Sequence, residues 1–253
     1  PQNQTEAVRW YRLAADQGLA SAQVNLGIMY DDGRGVPEDT TEAVRWYRLA
    51  AEQGLASAQY NLGIMYDDDR GVPLDDAEAV RWYRLAAEQG YAGAQFNLGI
   101  MYDNGEGVPL DDAEAVRWYR LAAAQGDAAA QYNLGIMYAA GEGVPEDETE
   151  AVRWYRLAAD QGYAAAQYNL GFRYANGRGV PQDATEAVRW YRLAADQGFA
   201  LAQYVLGVMY TNGVGAPQNY VAAHTWLNLA ATQSSGDDLE TFVGARDAVA
   251  ARM

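Results

Sequence analysis

The chain has 253 residues, no cysteine, a formal net charge of −16, and 18 basic residues that are all arginine. Without lysine there is no P-loop lysine, Ser-x-x-Lys nucleophile or Schiff base, and without cysteine no disulfide, thiolate zinc site or thiol catalysis. The acidic balance argues against nucleic acid, whose phosphates demand clustered basic side chains, and no apolar run reaches the roughly 18 residues that membrane insertion requires.

Trp10, Trp46, Trp82, Trp118, Trp154, Trp190 and Trp226 stand 36 residues apart, each in a near-copy of Ala79-Val80-Arg81-Trp82-Tyr83-Arg84-Leu85-Ala86-Ala87. Repetition at such a period marks a stacked array in which no repeat buries its apolar face alone. The reading is a single all-α solenoid domain, 1–253, with a half repeat at 1–18 that holds only a second helix. Repeats follow at 19–54, 55–90, 91–126, 127–162, 163–198 and 199–234, and a C-terminal capping helix spans 237–252. The uncapped N-terminal end, with Trp10 and Tyr11 on an apolar arc, is expected to allow end-to-end self-association.

In the repeat at 55–90, residues 56–68 read as helix A, with Ala58, Leu62, Met65 and Tyr66 on one side. Gly63 recurs in every repeat; it weakens a helix by about 1 kcal/mol, so another backbone is expected to pass close by. Gly-x-Gly, as in Gly33-Arg34-Gly35, and a proline then stop helix A. Asp69 replaces the first of these glycines in one repeat, where strain is expected. Helix B opens on a capping box, Asp75-x-x-Glu78, and turns Val80, Trp82, Tyr83, Ala86 and Ala87 inward while Arg81, Arg84 and Glu88 face solvent. Every tryptophan is expected on the buried arc. The last repeat drifts, with His224 in the Arg81 column, and Asp237-x-x-Glu240 is expected to open the capping helix.

The pattern Ala58-x-x-x-Leu62-Gly63-x-x-Tyr66, Gly71-Val72, Ala79-x-x-Trp82 and Ala86-Ala87-x-Gln89-Gly90 resembles the Sel-1-like repeat family, relatives of the tetratricopeptide repeat. The resemblance covers essentially the whole chain. It implies a right-handed superhelix of antiparallel helix pairs that acts as a non-enzymatic adaptor, holding other proteins on its concave face. Some disulfide-stapled bacterial members are linked to β-lactam binding or hydrolysis, from which this cysteine-free chain departs. A hydrolase is therefore a remote alternative, and a self-assembling structural element a nearer one.

No cofactor, metal or catalytic residue is assigned. Asp67-Asp68-Asp69 with Glu78 has the spacing of a calcium loop, but Val72 stands where that loop needs glycine. Gly-x-Gly follows a helix, not the strand that a nucleotide loop follows. His224 has neither a nucleophile nor an orienting acid that the sequence identifies.

One arc of helix A, Ser57, Tyr60, Ile64 and Asp67, is left over once core positions are assigned, and its columns differ most between repeats. It carries an aromatic ladder, Val24, Tyr60, Phe96, Tyr132, Tyr168 and Tyr204, beside an asparagine ladder, Asn25, Asn61, Asn97, Asn133 and Asn169. Rings and amides of this kind suit an extended peptide, and packing between repeats suits them too. Asp31, Asp67 and Asp103 follow in early repeats, Ala139, Ala175 and Thr211 later, so the partner is expected to be neutral to basic. The Ala- and Arg-rich usage fits a GC-rich bacterium or a consensus-built sequence. The compartment stays open between cytoplasm and periplasm or medium, since no leader is legible.

Overall fold

The computed structural model describes residues 2–253, so Pro1 of the expected half repeat lies outside the described residues. Chain contacts divide it into two compact units, 1–127 and 128–253. The first holds α1 (Gln2–Ala15), α2 (Ala20–Asp31), α3 (Thr40–Glu52), α4 (Ala56–Asp67), α5 (Asp76–Glu88), α6 (Ala92–Asn104) and α7 (Asp112–Ala124). The second holds α8 (Ala128–Ala140), α9 (Glu148–Asp160), α10 (Ala164–Asn176), α11 (Ala184–Asp196), α12 (Ala200–Asn212), α13 (Tyr220–Thr232) and α14 (Gly236–Ala250). No strand occurs among the described residues. Within each unit every helix packs on the next in sequence, which is the order of an α-solenoid.

Each A helix is joined antiparallel to its B helix by one repeated device. Asp75 accepts the amide of Glu78 at 3.0 Å, which caps α5. Its own amide donates to the Tyr66 carbonyl at the end of α4, 3.1 Å away. The expected capping box is therefore only half formed: the amide that Glu78 would reach is already spent on helix A, and Glu78 pairs with Arg81 at 3.0 Å. At the last helix the expectation fails differently. Ser235, not Asp237, precedes α14, and it makes no side-chain cap.

The core is layered, and each layer borrows from the next repeat. Val44, Tyr47, Leu62 and Met65 from α3 and α4 close over Trp82, which reaches back from α5. Trp46, Trp82, Trp118 and Trp190 are buried, but Trp154 and Trp226 are half-buried and Trp10 is 61% exposed. The expectation that every tryptophan is buried therefore holds for four of the seven. Arg117 lies 4.0 Å above the Trp118 ring, so the polar arc of helix B also covers aromatic edge.

The glycine of helix A answers to a side chain, not to a backbone. A Cβ on Gly63 would meet the Tyr83 ring at 2.6 Å, because the fully buried Tyr83 lies flat across α4. The close backbone approach falls instead at the second glycine of Gly-x-Gly: a Cβ on Gly71 would sit 2.4 Å from the Thr40 carbonyl in the first turn of α3. Asp69 takes φ +54, the one left-handed non-glycine among the described residues. Its Oδ1 accepts from the Leu74 amide at 3.2 Å, a partial compensation.

A buried glutamine stitches successive B helices together. Gln95 donates to the carbonyl of Ala87 at the end of α5, 3.0 Å, and accepts from Gln125 after α7 at 2.7 Å. The Ala87 carbonyl, which already accepts the Gly90 amide at 2.9 Å, thereby takes a second donor, and the glutamine ties one B helix to the next.

Candidate interaction face on the A helices

The rungs of the aromatic ladder are half-buried, and each turns one face into the array. Tyr60 tilts against Tyr83 at 6.1 Å and Tyr91 at 4.9 Å between ring centres. Phe96 meets Tyr119 at 5.9 Å, Tyr132 meets Tyr155 at 5.9 Å and Tyr163 at 5.1 Å, and Tyr168 meets Tyr191 at 5.5 Å and Phe199 at 5.2 Å. Tyr204 stacks on Phe242 of α14 at 4.6 Å, and Val24 is buried outright. Burial pushes the phenols of Tyr60, Tyr132 and Tyr168 above their usual range.

Asn61, Asn97, Asn133 and Asn169 are half-buried beside these rings, whereas Asn25 is exposed. Part of their capacity is internal: Asn97 hydrogen-bonds the Tyr83 hydroxyl and Asn169 that of Tyr132. Between α2 and α4 the face opens into a cavity of about 220 Å³ lined by Ile28, Asp31, Asn61, Ile64, Met65 and Arg70.

The three early aspartates are built into the wall. Tyr83 donates to Asp67 Oδ2 at 2.9 Å, and Tyr119 to Asp103 Oδ2 at 3.0 Å. Asp31 pairs with Arg70 at 2.8 Å and also holds the Tyr47 hydroxyl. All three carboxyls are shifted up by burial, against the opposing pull of their partners, and Asp67 is raised further by Asp68, Asp76 and Glu106. These aspartates are therefore half-buried acceptors for core tyrosines, while Asp68 and Glu106 are exposed.

Sequence reasoning missed the basic counterpart in the second unit. Arg173 replaces the methionine of Met65 and Met101, is 8% exposed, and bonds the hydroxyl of Tyr155, whose acidic partner is gone at Ala139. It forms an ion pair with Glu148, which Arg178 Nε also meets at 3.2 Å. The break in the methionine column at 173 was the available signal. His224 is half-buried, not exposed. No group of three or more metal-ligating side chains occurs among the described residues, and none of their helices is long and apolar enough to cross a membrane.

The Sel1 repeat matches seven successive segments, 1–19, 20–55, 56–91, 92–127, 128–163, 164–199 and 200–235. Among solved structures the chain is similar to c5321, a protective antigen present in uropathogenic Escherichia coli strains displaying an SLR fold. The TM-score is 0.88 at 41% identity, over 90% of this chain and 49% of that one. It is also similar to a Sel1 repeat protein from Oxalobacter formigenes, with TM-score 0.83 at 38% identity, over 93% of this chain and 68% of that one. The APC/C hetero-tetramer Cut9–Hcn1 shares the fold alone, with TM-score 0.56 at 15% identity over 96% of this chain and 46% of that one. The chain thus spans about half the length of the antigen it resembles. No match is found among curated proteins.

Proposed function

The chain belongs to the Sel1 repeat family, and from that premise we propose that it is a non-enzymatic scaffold that holds an extended peptide or protein segment on the faces of its A helices. Sel1 repeat proteins are generally protein-interaction scaffolds. The observation that carries the finer reading is where the repeats differ. Core columns such as Leu62, Leu98, Leu134, Leu170 and Leu206 are constant, whereas the columns of Asp67 and Arg70 on the A-helix face change chemistry from repeat to repeat. The leucine layers stay the same whichever of these residues is present, so stacking alone does not dictate the change, and a varied face supports the reading as a recognition surface.

In this reading Tyr60, Phe96, Tyr132, Tyr168 and Tyr204 supply contact area through their outer faces. Asn61, Asn97, Asn133 and Asn169 pair with the partner's backbone, and Asp31, Asp67 and Asp103 form the acidic wall of the early repeats, with exposed Asp68 and Glu106 setting the local field. The test is photo-crosslinking in the native host, with a crosslinking amino acid at Ile64 or Ile136 on this face and at Leu85 or Leu157 on the B-helix face. Capture of one protein from the A-helix positions alone is expected. Capture from the B-helix positions instead would move the site to the other face.

A second reading is self-association through the end of the first unit, where exposed Trp10, Leu13 and Leu19 line an open cavity of about 640 Å³. A mass that rises with concentration and returns to the monomer in Trp10→Ala would support it; an invariant monomer would not.

A further inference from the structure

We propose that the α8–α10 face of the second unit takes an acidic side chain of the partner segment at Arg178, with Arg173 as the buried charge behind it. The proposal rests on the A-helix face being the binding surface. Three observations meet at this spot. The acidic pair of the early repeats, Asp31-Asp32 and Asp67-Asp68, is replaced by Ala139-Ala140, so no carboxylate stands at those positions. Two guanidiniums share the single carboxylate of Glu148, which leaves one positive charge in excess. Arg173 is 8% exposed, and its Nε is buried with no acceptor among the described residues.

A guanidinium is rarely held so deep without full pairing, because removing it from water costs more than one shared ion pair returns. A second carboxylate is what this cluster lacks. Arg178 is the accessible arm, its side chain 53% exposed although its Nε is engaged by Glu148. Phe172, 37% exposed with its ring 5.9 Å from the Arg173 guanidinium, offers apolar area for the methylenes of a glutamate. A side chain suits the site better than a chain terminus, since repeats of the same unit continue on α12 beyond it and an extended segment passes through. Elsewhere in this unit the same two columns carry Met137 with Glu142 and Met209 with Val214, and where Arg34 and Arg70 recur in the first unit a methionine stands in the Arg173 column, so the doubled charge belongs to one repeat and not to the fold.

The experiment is an mRNA-displayed library of random ten-residue segments, flanked on both sides so that no free carboxylate is present, selected on the whole chain. Winners are remade acetylated and amidated. Acidic residues are expected at one fixed position. Changing that residue to its amide should weaken binding about fivefold on the wild type, in the range of a charge-assisted contact at a partly exposed site, and not at all on Arg178→Val. A further variant, Ala139→Asp with Arg173→Met, rebuilds the tyrosine–aspartate arrangement of the first unit, leaves Arg178 alone with Glu148 and should abolish the preference for acidic peptides; a preference that survives it overturns the proposal. Circular dichroism and melting confirm that the variants fold, and Arg178→Gln serves if Arg178→Val does not. Winners indifferent to the amide change, or equally weakened by it on Arg178→Val, overturn the carboxylate site. If those winners still weaken with Tyr132→Ala and Tyr168→Ala, the A-helix face stands without it. A library that yields no binder overturns both.

Discussion

Gly99 is where one hydrogen atom decides a packing layer. A Cβ there would lie 2.6 Å from the Tyr119 ring, which is fully buried and cannot withdraw. Alanine gains about 1 kcal/mol of helix propensity over glycine, but overpacking a core of this density costs roughly 1–3 kcal/mol or more. Gly99→Ala should therefore lower the denaturant midpoint; a rise would show that Tyr119 has room to move. The aspartates opposite these tyrosines give a pH signature. Burial raises the carboxyls of Asp31, Asp67 and Asp103, so the folded state prefers them protonated. Their contribution to stability is then full below the unfolded value of 3.8 and is lost as pH rises through the raised folded values. Melting temperature should climb as the pH falls through the raised values toward 3.8. The Asp31→Asn, Asp67→Asn, Asp103→Asn triple variant should climb less, and an equal climb in both would assign the effect to general charge repulsion.

At the scale of the helix, the buried glutamine has two obligations, and its truncation is costly for that reason. Gln95→Leu would remove two hydrogen bonds, the second donor of the Ala87 carbonyl and the acceptor of the exposed Gln125 amide, at about 0.5–1.5 kcal/mol each. Gln203 keeps its bond to Ala195 at 3.1 Å, but its Oε1 has no donor. Gln203→Leu should cost measurably less than Gln95→Leu in the same melts, and equal losses would mean that the glutamine pair contributes nothing. This distinction marks how far the sequence could be read. The 36-residue period, the helix stops at Gly-x-Gly and the N-caps at Asp75 and Asp111 were legible because each is a local signal with one physical meaning. The role of Gly63 was not: the sequence showed that something must come close, but a tyrosine ring and a backbone impose the same demand. The bond between Asp67 and Tyr83 was not legible, because in the sequence Tyr83 reads wholly as core, with no acceptor for its hydroxyl. Arg173 escaped notice because a single break in a constant column carries meaning only once Tyr155, Glu148 and Arg178 are seen around it.

For the molecule as a whole, a charge of −16 guarantees attraction to basic partners, but the charges differ in what they can do. Asp32 is held by Arg34 at 2.8 Å and Asp31 by Arg70, so the first inter-repeat site is close to neutral by internal pairing. Around Asp67 the neighbouring charges are acidic: Asp68, Asp76 and Glu106. Steering acts through exposed, unneutralised charge and is screened beyond a Debye length of about 8 Å at physiological ionic strength. Within the first unit, Asp68→Asn with Glu106→Gln should therefore slow the association of a lysine-bearing peptide and flatten its salt dependence. Asp67→Asn should change neither appreciably, since its carboxyl is half-buried and spends an oxygen on Tyr83. Stopped-flow association rates across a salt series separate the two. A larger effect from Asp67→Asn would mean that the partner displaces the tyrosine hydroxyl and binds the aspartate itself, and the wall described here would have to be redrawn as the site.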